Sequence, residues 1–197
     1  MPDDLPDWFD PERDAMLTPK AIRGVVHPIR LRILQLLQDD GPATATALAA
    51  RIGQSSGVAS YHLRVLAEHG FIIEDVERGT GRDRWWRATY RSSSFTFRTE
   101  DEPADENAEQ FMRLIADDMH RRLVEYISGM SARGAQQSTE MFRTGRWPLR
   151  LTPAQASELI DAIEELLLKF RRWPDDADPA PDSQRAVFQY QLLPDEG

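Results

Sequence analysis

Apolar residues in the first part of the chain recur at helical spacing in short segments separated by helix-breaking residues. Thr18-Pro19 is a typical start, a capping hydroxyl followed by proline, and it predicts a short helix that runs to Val25. His27-Pro28 then interrupts the pattern. A second helix is predicted from Ile29 and ends at residues 39–42, which read Asp-Asp-Gly-Pro.

A third short helix is predicted at Ala47–Ile52, with either Thr44 or Thr46 as its cap. Its alanine content allows close packing against a neighbour. Gly53-Gln54 forms the turn that follows, so the third helix and the next one are joined by a short connection.

The fourth helix begins at a capping serine, Ser55 or Ser56, and runs to His69, where Gly70 closes it. Its apolar residues at positions i, i+4 and i+7 predict a buried face made of Ala59, Leu63 and Leu66. The residues that then point outward, beside the capping serines, are Val58, Ser60, Tyr61 and Arg64. An aromatic ring, hydroxyls and an arginine near a helix N-terminus suit a nucleic-acid groove better than a solvated surface.

The hydrophobic pattern then changes from helical to strand-like. Residues 71–77 and 83–90 are predicted as two strands, and the two glycines within 78–82 mark a hairpin between them. Residues 94–98 alternate as a third short strand. An acidic, proline-containing segment at 100–107 is predicted to be the domain boundary.

The second half is mostly helical. A long helix from about Ala104 carries one apolar stripe, made of Phe111, Leu114, Ile115, Met119, Leu123, Ile127 and Met130. Thr152 and Gln155 fit a capping box for another helix. That helix carries an apolar face formed by Leu159, Ile163, Leu166 and Phe170. Residues 186–193 are predicted to form a terminal strand, paired with the strand around 95–97 or with a partner subunit.

Short helices, a capped helix and a glycine-tipped hairpin follow one another in the order of a winged helix-turn-helix. We therefore expect a mainly α fold with a small β-wing, of the α+β class. The expected organisation is a flexible acidic arm at 1–14, a winged helix-turn-helix domain at 15–99, and a helical C-terminal dimerisation or effector region at 100–197.

Charge is distributed unevenly along the chain. The 197 residues carry a formal charge of −9, which on its own would argue against a polyanionic partner. Residues 1–19 carry net −5, residues 20–98 net +5 and residues 99–197 net −9. Only two basic residues are lysines, and arginine forks suit phosphate and base edges. The basic block coincides with the predicted winged domain, so a DNA partner stays open.

Two segments resemble the ArsR-type winged-helix transcriptional regulators. They are residues 27–37, His-Pro-Ile-Arg-Leu-Arg-Ile-Leu-Gln-Leu-Leu, and residues 55–72, which hold the fourth helix. The wing at 77–87 is similar to a branch of that group with a longer C-terminal region. The resemblance covers about residues 15–98. It implies a cytoplasmic homodimer that regulates transcription, as a repressor or an activator, by reading double-stranded DNA at a palindromic operator.

The resemblance also implies site residues. The recognition helix at 55–69 would lie in the major groove and the wing at 77–84 on flanking backbone. The expected DNA-binding residues are Gln54, Ser55, Ser56, Val58, Ser60, Tyr61, Arg64, Arg78, Arg82 and Arg84. We expect the dimer interface on the long helix, at Phe111, Leu114, Ile115, Met119, Leu123 and Ile127, the alternative being that this apolar stripe is intramolecular core.

No residue set favours catalysis, metal binding or a cofactor. The chain lacks cysteine, and residues 43–52, where metal-sensing members of the family place thiolates, offer no ligand. His62 and His69 lie on one helix without a third ligand nearby, which favours a structural or DNA-facing role. No nucleophile triad or phosphate loop stands out, so we expect a non-enzyme. No apolar run reaches the length of a membrane span, and the N-terminus has no secretory signal.

The acidic C-terminal region is larger than one dimer helix needs. Its apolar residues could line a pocket for a small-molecule effector, the candidates being Phe111, Met112, Met119, Tyr126, Met141, Phe142 and Trp147. The alternative is that they pack together as core. A second hypothesis is that the whole chain is a protein-interaction module. It would use the winged fold as a scaffold and the acidic C-terminal half as its binding surface.

Overall fold

The computed structural model describes residues 14–17, 21–79, 83–90, 92–95, 106–133, 142–170 and 186–194. The chain divides into two compact units, one formed by Asp10–Asp117 and the other holding Asp118–Gly197, and each is described by itself below. Within the described residues, no helix is both long and apolar enough to cross a membrane.

The first unit contains a 3-10 helix at Ala21–Gly24 followed by helices α1 (Pro28–Asp40), α2 (Ala45–Ile52) and α3 (Ser56–Glu68). All three α-helices have a side-chain N-cap. Thr44 and Ser55 accept from the backbone N–H three residues on, at 3.2 and 3.3 Å. These caps satisfy N–H groups that a helix start otherwise leaves unpaired.

His27 is the cap of α1. Its Nδ1 accepts a hydrogen bond from the backbone N–H of Ile29 at 3.1 Å. Pro28 restricts the residue before it to extended backbone, and His27 has φ −166° and ψ 133°, the conformation an N-cap requires. His27-Pro28 therefore ends one segment and starts the next.

The β-structure forms two small sheets. Strands β2 (Ala43–Thr44), β4 (Trp85–Ala88) and β3 (Ile72–Glu74) form an antiparallel sheet in the order β2-β4-β3. Ile72 pairs with Ala88 and Glu74 with Trp86, which confirms the predicted hairpin. Strand β1 (Asp14–Leu17) pairs in parallel with β5 (Ser92–Phe95) in a separate two-stranded sheet.

The core of the first unit is built from one face of each helix and one face of the hairpin. The side chains of Ile22, Ile33, Leu63 and Leu66 are fully buried. Around them pack Val25, Leu31, Leu34, Leu36, Leu37, Leu48, Phe71, Ile72 and Trp86. A mainly α unit with a three-stranded wing is a winged helix-turn-helix, as the sequence predicts.

The second unit begins within helix α4 (Glu106–Arg133) and includes α5 (Pro153–Leu168). Thr152 and Gln155 form the predicted capping box at the start of α5, with hydrogen bonds of 3.3 and 2.9 Å. From Asp118 onward, none of the side chains that the structure describes is fully buried. Apolar residues of this unit are half-buried or exposed.

The structure differs from the sequence predictions at several points. The short helix before His27 is a 3-10 helix at Ala21–Gly24, and residues 18–20 lie outside the described part of the chain. The third strand begins at Ser92 rather than at Ser94 and pairs with a strand at Asp14–Leu17 that was not predicted, while residues 96–98 lie outside the described part of the chain. Residues 1–13, the rest of the expected arm, are outside the described residues.

The predicted terminal strand is not formed within this chain, and its alternative, pairing with a partner subunit, stays a prediction. Residues 186–194 contain neither helix nor strand. Their side chains contact helices instead: the Tyr190 hydroxyl donates to Glu164 of α5 at 2.6 Å, and the Gln191 amide to the Met119 sulfur of α4 at 3.5 Å. Without a strand neighbour, the alternating pattern does not form a sheet.

The domain boundary was expected at residues 100–107 and stays a prediction. The units divide at Asp117/Asp118. The first turns of α4 belong to the winged unit because Ala108 and Phe111 are buried in its core.

Gly24 tests how tightly the 3-10 helix packs against the end of α3. A Cβ at this position would clash with the Cβ of His69 and would lie 2.9 Å from the Phe71 ring. We expect Gly24→Ala to lower the free energy of unfolding by about 1–3 kcal/mol through overpacking. Urea denaturation measures this change. Gly57→Ala is the matched control, because its Cβ would meet nothing closer than 3.9 Å. Equal stability of the two variants would refute the close packing.

Candidate nucleic-acid interface

Helix α3 presents its outer face to solvent because its inner face is fully anchored. Ala59, Leu63 and Leu66 have no exposed surface, as the i, i+4, i+7 pattern predicts. Gly53 adopts a left-handed conformation (φ 66°) at the end of α2, and its N–H bonds back to the Ala49 carbonyl. Glycine allows this conformation without strain, so the short turn places α3 directly after α2.

The residues predicted to read DNA lie together around the exposed side of α3. Gln54, Ser55 and Ser56 are exposed at its N-terminus, and Val58 and Ser60 are half-buried. Tyr61 is 58% exposed, and Arg64 is exposed one turn later. The Ser55 hydroxyl already accepts from the Val58 N–H, so it serves as the cap of α3.

The arginines of the interface differ in what they contact. Within the described residues, Arg64 has no carboxylate partner. In the wing, Arg78 is 3.4 Å from Asp75 and Arg84 is 3.4 Å from Glu74. The Arg84 guanidinium also lies 5.9 Å from the centre of the Trp86 ring. Both side chains of the Arg84–Glu74 pair are exposed, and such pairs contribute at most about 1 kcal/mol, so Arg84 can exchange its partner for a phosphate. Arg78 is exposed, whereas its partner Asp75 is mostly buried. Arg82 lies outside the described residues.

Arg87 is a basic residue of the wing that the sequence reasoning did not select. It is exposed on β4 next to the buried Trp86, and no described residue forms an ion pair with it. Because successive strand residues point to opposite faces, a buried Trp86 implies an outward Arg87. The alternation along residues 85–88 was the signal that could have found it.

Four polar side chains lead from the exposed face of α3 into the unit. They are Tyr61, His62, His27 and Arg30, which we call the histidine cluster. The rings of His27 and His62 are 4.5 Å apart, and the Tyr61 ring meets His62 edge-on at 5.2 Å. His62 is buried, and its Nδ1 has no hydrogen-bond partner. The cluster therefore connects the start of α1 with the middle of α3.

Protonation of the histidine cluster is unfavourable. Burial lowers the pKa of His62, and the charge of a protonated His27 and that of Arg30 lower it further. Burial and Arg30 likewise lower the pKa of His27. The Arg30 guanidinium cannot move away freely, since its Nη2 donates to the carbonyls of Val26 and Arg23 at 3.2 and 3.4 Å. Both imidazoles are held in their neutral form.

The predicted dimer residues of α4 fall into two groups. Phe111 is buried in the core of the winged unit, and Leu114 and Ile115 pack against that core. Phe111 is therefore a core residue, because the first turns of α4 cover the winged unit. Further along α4, Leu123 and Ile127 are 41% and 49% exposed. Met119 is half-buried. The exposed group is the part available to a partner.

The candidate effector-pocket residues are divided between the two units. Phe111 belongs to the core of the winged unit, whereas Tyr126 and Phe142 stack on each other in the second unit, with ring centres 5.1 Å apart. Trp147 is 76% exposed. Met141 lies outside the described residues. Among the described residues, no group of three or more His, Asp or Glu side chains could hold a metal ion.

Comparison with known proteins gives one family match and several similar solved structures. Residues 25–75, which hold α1 to β3, match the family model of a helix-turn-helix domain. None of the curated proteins compared gives a significant match. Among solved structures, the chain is similar to a homodimeric winged helix-turn-helix DNA-binding domain from Mycobacterium bovis, described as a possible ArsR-family transcriptional regulator. The identity is 22% over 50% of this chain and 77% of that one, with a TM-score of 0.33.

Two further solved structures show similar likenesses. A possible transcriptional regulator for arsenical resistance shares 26% identity over 53% of this chain and 94% of that chain, with a TM-score of 0.31. ZitR of Lactococcus lactis shares 14% identity over 77% and 89% of the two chains, with a TM-score of 0.33. Since these TM-scores are low, the assignment depends on the geometry and the family match. The first unit contains a winged helix-turn-helix domain, a fold of DNA-binding transcription regulators.

The histidine cluster predicts a pH-dependent stability. A folded-state pKa below the usual histidine value of about 6.5 means that the unfolded chain binds protons that the folded chain does not bind. Stability from this source is complete above about pH 6.5 and is lost as the pH falls below it. We expect the free energy of unfolding to decrease between pH 7.5 and pH 5, and to decrease less in His62→Gln. Urea titrations at several pH values measure both slopes.

His120→Gln is the control, because this exposed residue of α4 lies outside the cluster. The absolute stability of His62→Gln is not the readout, since a buried substitution costs stability by itself. Identical pH slopes for the wild type and His62→Gln would contradict the role of the cluster.

Proposed function

We propose that this protein is a sequence-specific DNA-binding transcriptional regulator of the ArsR type, acting in the cytoplasm as a homodimer on a palindromic operator. In this proposal α3 enters the major groove and the wing contacts the flanking backbone. The observation that carries it is the two-sided character of α3. Its inner face is fully buried, while Tyr61 and Arg64, which has no carboxylate partner among the described residues, project from the outer face.

The chemistry of the outer face fits DNA. A planar guanidinium such as that of Arg64 can donate two hydrogen bonds to the O6 and N7 atoms of guanine, or bind a phosphate. The exposed hydroxyl of Ser56 and the amide of Gln54 can bond base edges or phosphate oxygens. The N-terminal end of α3 adds a positive dipole where the backbone of DNA would pass.

The wing supplies the second contact. Arg78, Arg84 and Arg87 are exposed around the hairpin, whose tip at residues 80–82 is outside the described part of the chain. Wing arginines that contact phosphate add affinity without sequence information. Discrimination between DNA sequences is therefore assigned to α3 and general affinity to the wing. Nothing in the residues motivates an enzyme.

Replacing Arg64 tests the direct contact. We expect Arg64→Ala to weaken binding to an operator fragment about 10- to 100-fold, equivalent to about 1–3 kcal/mol, and to relax preference at one base position if it reads a base. Fluorescence anisotropy with the operator and with point-mutated duplexes measures this. Arg113→Ala is the matched control, because Arg113 is an exposed arginine of α4 paired with Glu109. An affinity as high in Arg64→Ala as in Arg113→Ala would contradict the proposal.

Replacing the wing arginines tests the backbone contact. We expect Arg84→Ala to weaken binding to all duplexes by a similar factor, and to reduce the slope of log affinity against log salt by about 1. The loss is smaller than for Arg64→Ala, because Arg84 gives up its contact with Glu74 on binding. A salt slope that stays unchanged would exclude a phosphate contact at this residue.

The dimer is proposed to form through the exposed part of α4. A two-fold protein mirrors a palindromic site, whose half-sites lie about 34 Å apart. We expect Ile127→Glu to convert dimers into monomers in sedimentation experiments without lowering the stability of the winged unit, since Ile127 is half-exposed. Val76→Glu, an equally apolar exposed position in the wing, is the control. A dimer that persists in Ile127→Glu places the interface elsewhere.

A further inference from the structure

Residues 143–151, which we call the basic loop, are exposed at every position in the second unit. The loop is held at both ends. Before it, the Phe142 ring stacks on Tyr126 of α4, with ring centres 5.1 Å apart and planes at 21°. After it, Thr152 starts α5 through its capping box. The loop is therefore anchored on two helices while its own side chains face outward.

The side chains of the basic loop combine positive charge with large apolar groups. Arg143, Arg146 and Arg150 alternate with Trp147 and Leu149. Trp147 is 76% exposed and Leu149 is 53% exposed. The indole lies directly against the Cα of Gly145, where a Cβ would clash with it. Tryptophan and arginine are the residues most enriched in the centres of protein interfaces.

Helix α5 of the same unit presents the complementary charge. Glu158, Asp161 and Glu165 lie at positions i, i+3 and i+7 and are exposed on one face. Beside them, Leu166 and Phe170 are 52% and 76% exposed. The helix buries none of its residues. This face of α5 combines carboxylates with apolar side chains. The basic loop combines arginines with apolar side chains.

Four charged residues of these two surfaces have no ion pair within the described part of the chain. They are Arg146 and Arg150 of the basic loop and Glu158 and Glu165 of α5. DNA does not suit this surface, because the carboxylates of α5 would repel it and residues 99–197 carry net −9. A second copy of the chain suits this surface, because each copy supplies both the basic loop and the acidic face of α5.

We propose that the basic loop of one copy docks on α5 of a second copy. Arg146 and Arg150 face Glu158 and Glu165 of the other molecule, and Trp147 packs beside Phe170. In a two-fold dimer this contact occurs twice, since every residue pair has a symmetric counterpart. The contact is separate from the α4 face proposed above and does not depend on DNA binding.

Charge reversal in the full-length protein tests the proposal. One variant carries Arg146→Glu with Arg150→Glu, and the other carries Glu158→Arg with Glu165→Arg. Each variant alone brings like charges together at both contacts, so we expect its dimer dissociation constant to rise at least about 10-fold in sedimentation velocity runs. Mixed in equal amounts, the two variants have opposite charges at both contacts. We expect the mixture to recover association, and differently tagged copies to be captured together.

The control is Glu68→Arg with Glu77→Arg, which changes net charge as much as the α5 variant but lies in the winged unit. We expect it to associate like the wild type. Reversed variants that associate like the wild type, or a mixture that recovers nothing, would overturn the proposal. So would a loss of thermal stability without a change in association, since the loop would then dock on α5 of its own chain.

The same measurements separate this contact from the α4 interface. Association lost in Ile127→Glu but unchanged by charge reversal would overturn the loop contact and leave the α4 proposal standing. Association weakened by reversal, restored by mixing and unaffected by Ile127→Glu would establish the loop contact and refute the α4 interface.

Discussion

Burial of one face of α3 is the constraint on which the rest of the structure depends. Ala59, Leu63 and Leu66 lose all their exposed surface against the core, which fixes the rotation of the helix about its axis. Because that rotation is fixed, Tyr61 and Arg64 must face outward. Burial of a Leu side chain contributes about 1.5–3 kcal/mol, so turning the helix would expose two such side chains at once. The apolar pattern of α3 thus positions its polar chemistry.

The histidine cluster adds a polar connection to this apolar anchor. His27 caps α1 through Nδ1 and places its ring against His62 of α3, so one side chain holds the start of one helix and touches the middle of the other. The cap requires an unprotonated Nδ1, and the ring contact disfavours a second charge beside Arg30. The outer face of α3 is therefore supported from behind by groups that must stay neutral. The stability of the site and its protonation state are coupled for this reason.

The sequence predicted best those features that depend only on residues close together in the chain. The caps at Ser55 and Thr152, the buried face of α3 and the hairpin followed from local patterns, because capping and amphipathicity depend on neighbouring residues. Pairing of Asp14–Leu17 with Ser92–Phe95 was missed, since a parallel contact between distant segments leaves no local mark. Phe111 was assigned to a partner instead of to the core because the stripe on α4 looks uniform in sequence. Only the fold shows which turns meet the winged unit.

The central claim is that the outer face of α3 contacts the bases of DNA. Its most direct test is a photo-reactive phenylalanine analogue placed at position 61 and, separately, at the exposed position 112 of α4, with each protein irradiated on genomic DNA fragments. We expect adducts from position 61 and none from position 112. Sequencing of the adducts should give two-fold symmetric sites with half-sites about one helical turn apart. No adduct from position 61, or equal yields from both positions, would contradict the account.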